Sequence, residues 1–160
     1  VLKCVRQLFN ELHMECLGFF KEHVISNFSE KYVVGKLWFP CEEMKNDDKI
    51  LQSSNDEASY EKYCQYVKWR KCTLNEIKTV NFLNDDTQLV KTLTQDILQL
   101  IKDLIQTKKS QHILDFSLEC ILILKKYLTT DDISIFQEFK DKNINKSTKF
   151  LILDILHPVE

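Results

Sequence analysis

Two glycines, Gly18 and Gly35, and two prolines, Pro40 and Pro158, are all that 160 residues contain. Hairpin turns, phosphate-cradling loops and strained nucleophile elbows draw on the positive φ of glycine or the fixed φ of proline. A chain this poor in both needs an architecture whose connections require neither, which predicts an all-α fold. Its length suits one domain, residues 1–160, with enough chain to bury a single core without disulfide or metal support.

Apolar spacing points the same way. In residues 2–28, Leu2, Val5, Leu8, Phe9, Leu12, Cys16, Phe19, Phe20 and His23 gather within roughly a third of the circumference at 100° per residue, the stripe of an amphipathic helix facing a core. Residues 29–40, SEKYVVGKLWFP, interrupt that pattern with Gly35 and Pro40. Residues 45–58, KNDDKILQSSNDEA, are too poor in apolar side chains to offset their ordering entropy and are expected to form a flexible loop.

Helix is expected again from Ser59 to about Leu83, broken near Thr73, and then from about 86 to 108 with Leu89, Val90, Leu93, Ile97, Leu100, Ile101 and Leu104 on one face. Residues 111–128 are apolar nearly all round, relieved by a line of His112, Asp115, Glu119 and Lys126 expected to face solvent, so they predict the central helix. Thr129, Thr130, Asp131 and Asp132 supply a cap and first-turn carboxylates for a short helix through Phe136 and Phe139. A last helix is expected to start after Ser147 and to stop at Pro158. The whole reads as about five to seven helices. Over roughly residues 86–157 the succession resembles, in architecture alone, a piece of a HEAT or armadillo-type α-solenoid; an irregular helical bundle fits the same spacing.

Several functional classes are disfavoured. A formal net charge of −2, from 22 basic and 24 acidic residues mixed along the chain, provides no field to draw it onto nucleic acid or an anionic membrane. The longest apolar run, CILIL at 120–124, falls far short of the ~20 residues that span a bilayer. The opening VLKCVRQLF carries no secretory leader pattern and reads as a mature terminus or a cut boundary. Cys4 and Cys16 would lie ~18 Å apart on one helix, beyond disulfide reach, so the six cysteines are expected to be buried free thiols in a reducing compartment. Neither His13 with Cys16 nor Cys64 with Cys72 has the spacing of a zinc knuckle, and His23 is expected to be a core histidine. Cys120 lies in an apolar helix that would hold its thiol inert, and Asp115 with Glu119 is the one pair of carboxylates a helical turn apart there.

The stretch EKYCQYVKWRKC, residues 61–72, carries the most information about a partner. On a helix it places Tyr60, Tyr63, Cys64 and Val67 on one side and Lys62, Tyr66 and Trp69 near the other. A helix with rings front and back is either sandwiched between layers or offers one face to a partner, because tyrosine and tryptophan are enriched at interface hot spots. The residues expected to bind a partner protein are Trp69, Tyr66, Lys62 and Arg70, with Trp38 and Phe39, which either plug the core or form an exposed apolar patch.

The expected function is a non-catalytic helical protein–protein interaction module, a scaffold or adaptor segment of a larger intracellular protein, using no cofactor. One alternative is a secreted ligand similar in size and helix content to four-helix cytokines, suggested by the even cysteine number and the sequons at Asn27 and Asn145. The other is a single-stranded nucleic-acid binder using rings and cations together.

Overall fold

The computed structural model describes residues 57–83, 87–107, 110–140, 142 and 144–157, with helical Glu22, His23 and Ser26. From residue 57 on, the described residues form five α-helices in order: α1 (Glu57–Leu83), α2 (Thr87–Thr107), α3 (Gln111–Ile123), α4 (Thr130–Lys140) and α5 (Lys146–Leu156), with a 3-10 turn at Lys125–Tyr127 between α3 and α4. Among the described residues there is no strand, and the fold is all-α.

The centre is α3, which packs against α1, α2 and α5, while α4 packs on α5. Its sequence explains that position: Phe116, Leu118, Cys120 and Ile121 point in different directions around the helix and are all fully buried. Each such large side chain contributes about 1.5–3 kcal/mol when removed from water. α2 supplies a broad inner face of Val90, Leu93, Ile97, Leu98, Ile101, Leu104 and Ile105, with Lys91, Gln95 and Gln106 exposed on the other side. Thr94 is buried within that face because its hydroxyl donates to the Val90 carbonyl at 2.7 Å.

The helix starts are set by short polar side chains. Ser110 caps α3, its hydroxyl accepting from the Ile113 amide at 3.4 Å. Before α4, Thr129 and Asp132 form a reciprocal box: the Asp132 amide donates to the Thr129 hydroxyl at 3.2 Å and the Thr129 amide to the Asp132 carboxylate at 2.9 Å.

The structure differs from the sequence expectations in several places. α1 runs unbroken through Thr73, whose side chain is buried and whose β-branch is tolerated once packed. It begins at Glu57, so the last two residues of the expected loop are helical; residues 45–56 lie outside the described residues. α3 stops at Ile123 and tightens into the 3-10 turn, Leu124 having left helical backbone at φ −92° and ψ 8°. The cap of α5 is Asn145, not Ser147: its Oδ1 accepts from the Thr148 amide at 2.8 Å, and the Ser147 hydroxyl donates to Asp115 at 3.1 Å. His23 is exposed, not interior, as suits an imidazole at the end of an apolar stripe.

Candidate interaction surface

α1 is 27 residues long and carries apolar side chains on two sides, so its direction is decided by packing rather than by amphipathicity. The side that turns inward holds Tyr66, Thr73, Ile77 and Val80, all buried. Tyr66, expected on a partner-facing flank, is only 1 % exposed. Its hydroxyl donates to the His112 carbonyl of α3 at 3.0 Å, and its ring centroid lies 5.7 Å from Trp69 and 6.2 Å from His112. A buried phenol needs such an acceptor.

Trp69 is half-buried, its ring centroid 4.7 Å from Phe116 of α3 at an interplanar angle of 49°. Arg70 reaches the same helix with two hydrogen bonds to Glu119, from Nε to Oε2 at 3.1 Å and from Nη2 to Oε1 at 2.5 Å. Burial pushes the Tyr66 phenol up to about 12. Burial also works against the Arg70 charge, but the hydrogen bond and charge of Glu119 outweigh it and raise the guanidinium further. Tyr66, Trp69 and Arg70 therefore all bind α3: Tyr66 is interior, while Trp69 and Arg70 keep part of their side chains in water. Lys62 beside them is half-buried. Trp38 and Phe39 lie outside the described residues.

Two members of the line expected to face solvent are likewise engaged, while Lys126, past the end of α3, is exposed as expected. Glu119 meets Arg70, and Asp115 accepts from Thr148 Oγ1 at 2.6 Å, Gln111 Nε2 at 2.9 Å and Ser147 Oγ at 3.1 Å. Gln111 also donates to Thr148. The charges of α3 thus join it to α1 on one side and to α5 on the other. Cys120 beneath them is fully buried, and burial pushes its thiol well above the ordinary cysteine range, where it is a poor nucleophile. Among the described residues no group of three His, Cys, Asp or Glu side chains could hold a metal ion, and no helix is long and apolar enough to cross a membrane.

The surface that remains is the opposite side of α1. Tyr60 is 60 % exposed and Val67 44 % exposed, with Cys64 exposed between them and Lys71 and Lys78 continuing the strip. Cys64 and Cys72 are exposed free thiols, contrary to the expectation of buried ones, because both fall on this outward arc. A second apolar outlier, Phe150 on α5, is 57 % exposed, next to Lys149 and one turn after Lys146. Residues 61–72 alone leave the two sides of α1 equivalent; reading on to Lys78 against Ile77 and Val80 separates them. No family model, no curated protein and no solved structure matches the chain.

Proposed function

We propose that the chain is a non-catalytic helical protein–protein interaction module, a scaffold or adaptor segment of a larger intracellular protein, and that it docks its partner on the outward strip of α1. The observation that carries this reading is the pair of large apolar side chains, Tyr60 and Val67, left exposed two helical turns apart on a helix whose other side packs on α3. An exposed tyrosine beside an aliphatic residue has the composition of an interface anchor. The free thiols Cys64, Cys72 and Cys120 support a reducing compartment.

The test is a Tyr60→Ser/Val67→Ser double variant used beside the unaltered chain in affinity capture from a cell extract. The expected result is loss of a specific captured protein, with the melting temperature unchanged to within about 2 °C because both side chains already contact water. Retention of every captured protein by the variant sinks the reading. A denatured, unreduced chain with two or three disulfides instead of six reactive thiols would favour the secreted alternative.

A further inference from the structure

The exposed charges of α1 are segregated along its length. Glu57 and Glu61 occupy the first two turns, and Lys68, Lys71 and Lys78 occupy the remainder. None of the five forms an ion pair among the described residues. Their spacing does not serve the helix itself: Glu57 and Glu61 are four apart and Lys68 and Lys71 three apart, so each pair places like charges one turn from each other. The helix dipole favours an acid at Glu57, but it fades within a turn of the C-terminus, and Lys68 and Lys71 stand 15 and 12 residues before Leu83 (83 − 68 and 83 − 71).

Four of these five charges are placed almost symmetrically about Val67, and the fifth, Lys68, stands next to it. Glu57 and Lys78 lie 10 and 11 residues to either side (67 − 57 and 78 − 67), about 15 and 16 Å along the axis, and Glu61 and Lys71 lie 6 and 4 residues away (67 − 61 and 71 − 67), about 9 and 6 Å. We infer that the occupant of the outward strip is a second copy of this chain, its α1 laid antiparallel with the twofold axis near Val67; this rests on the docking reading above. In that arrangement Glu57 and Glu61 of each copy meet Lys78 and Lys71 of the other, Val67 meets Val67 at the axis, and Tyr60, 7 residues before it (67 − 60), lies over the turn at Leu74 of the other copy, 7 residues after it (74 − 67). A self-complementary patch is what a twofold dimer requires. Two helices meeting along one strip bury less than the roughly 1,200 Å² of a standard interface, so the dimer is weak, with a dissociation constant on the order of micromolar to millimolar, and it weakens further as salt screens the end charges.

The experiment is sedimentation equilibrium of the whole chain over a range of concentrations, alone and with two charge-reversed variants, Glu57→Lys/Glu61→Lys and Lys71→Glu/Lys78→Glu. Each variant alone sets like charges against like and should self-associate at least about tenfold more weakly than the unaltered chain. An equimolar mixture of the two should recover a dimer containing one copy of each. Val67→Glu, at the axis, should abolish association while leaving the far-ultraviolet circular dichroism unchanged. The inference is overturned by an unaltered chain that stays monomeric to about 1 mM, by reversed variants that dimerise as well as it does, or by a mixture that fails to recover the dimer. A monomeric chain would leave the docking reading standing, since capture of a different protein through Tyr60 and Val67 decides that separately.

Discussion

Trp69 of α1 and Phe116 of α3 lie ring against ring, centroids 4.7 Å apart, and join the long first helix to the centre of the fold. Truncating the indole to alanine removes that contact along with the support it provides to Tyr66, 5.7 Å away. A fully buried tryptophan costs 3–5 kcal/mol when cut to alanine; for this half-buried one the expected loss is about 2 kcal/mol. Urea unfolding of Trp69→Ala measures it. A variant as stable as the unaltered chain would return Trp69 to the surface.

Arg70 and Glu119 make a two-pronged ion pair whose side chains each keep 30 % of their surface in water. Solvent screening limits such a pair to about 1 kcal/mol of coupling, whereas removing one partner leaves the other half-buried and unmatched. Arg70→Met and Glu119→Met are therefore each expected to destabilise by about 1–2 kcal/mol, and the double variant to recover most of that, since two thioether chains pack without a stranded charge. A double-mutant cycle in urea decides it: additive losses would show that the two side chains act independently.

The legibility of this fold in its sequence followed the periodicity. α2 and α5 announce themselves through residues such as Ile97, Ile101, Ile152 and Ile155, a turn apart and buried, and the Thr129–Asp132 box is a local signature that depends on nothing distant. The expected central helix is the observed one because a segment apolar on all sides has nowhere else to go. What stayed hidden was the direction of α1. Tyr66 and Tyr60 are the same residue type six positions apart, and nothing within residues 61–72 says which of the two rings turns inward; in the structure the His112 carbonyl accepts from Tyr66 and Glu119 accepts from Arg70 on the inward side. Asp115 and Glu119 read as a wet line for the same reason: the groups that satisfy them, Thr148 and Arg70, are 33 and 49 residues away in the chain.

The three described cysteines should separate cleanly by reactivity. Cys64 and Cys72 are exposed and should react with a thiol reagent in the folded chain, whereas Cys120 is buried with its thiol pushed far up and should not. In a Cys64→Ser/Cys72→Ser background, Cys120 labelling should follow the opening of the core and accelerate with urea along the unfolding transition. Labelling of Cys120 at the rate of an exposed thiol without denaturant would contradict its burial.

Tyr66 sets a pH dependence with a definite sign. Its phenol titrates near 12 in the folded chain, raised by burial from the usual 10. Below pH 10 both folded and unfolded chains hold the proton, and the stabilisation from the buried, hydrogen-bonded phenol is fully present. Between pH 10 and about 12 the unfolded chain gives up its proton while the folded chain keeps it, so this part of the stability falls as pH rises through that window. Tyr66→Phe lacks the titration and also lacks the hydrogen bond to the His112 carbonyl, a loss of about 1 kcal/mol. The unaltered chain should therefore lead the variant by about that amount at pH 8, and the lead should shrink once pH passes 10, because only the unaltered chain pays to keep a neutral phenol. Urea unfolding of both at pH 8, 10 and 11 tests this, and a gap that stays constant would mean the phenol is not the buried, proton-holding group described here.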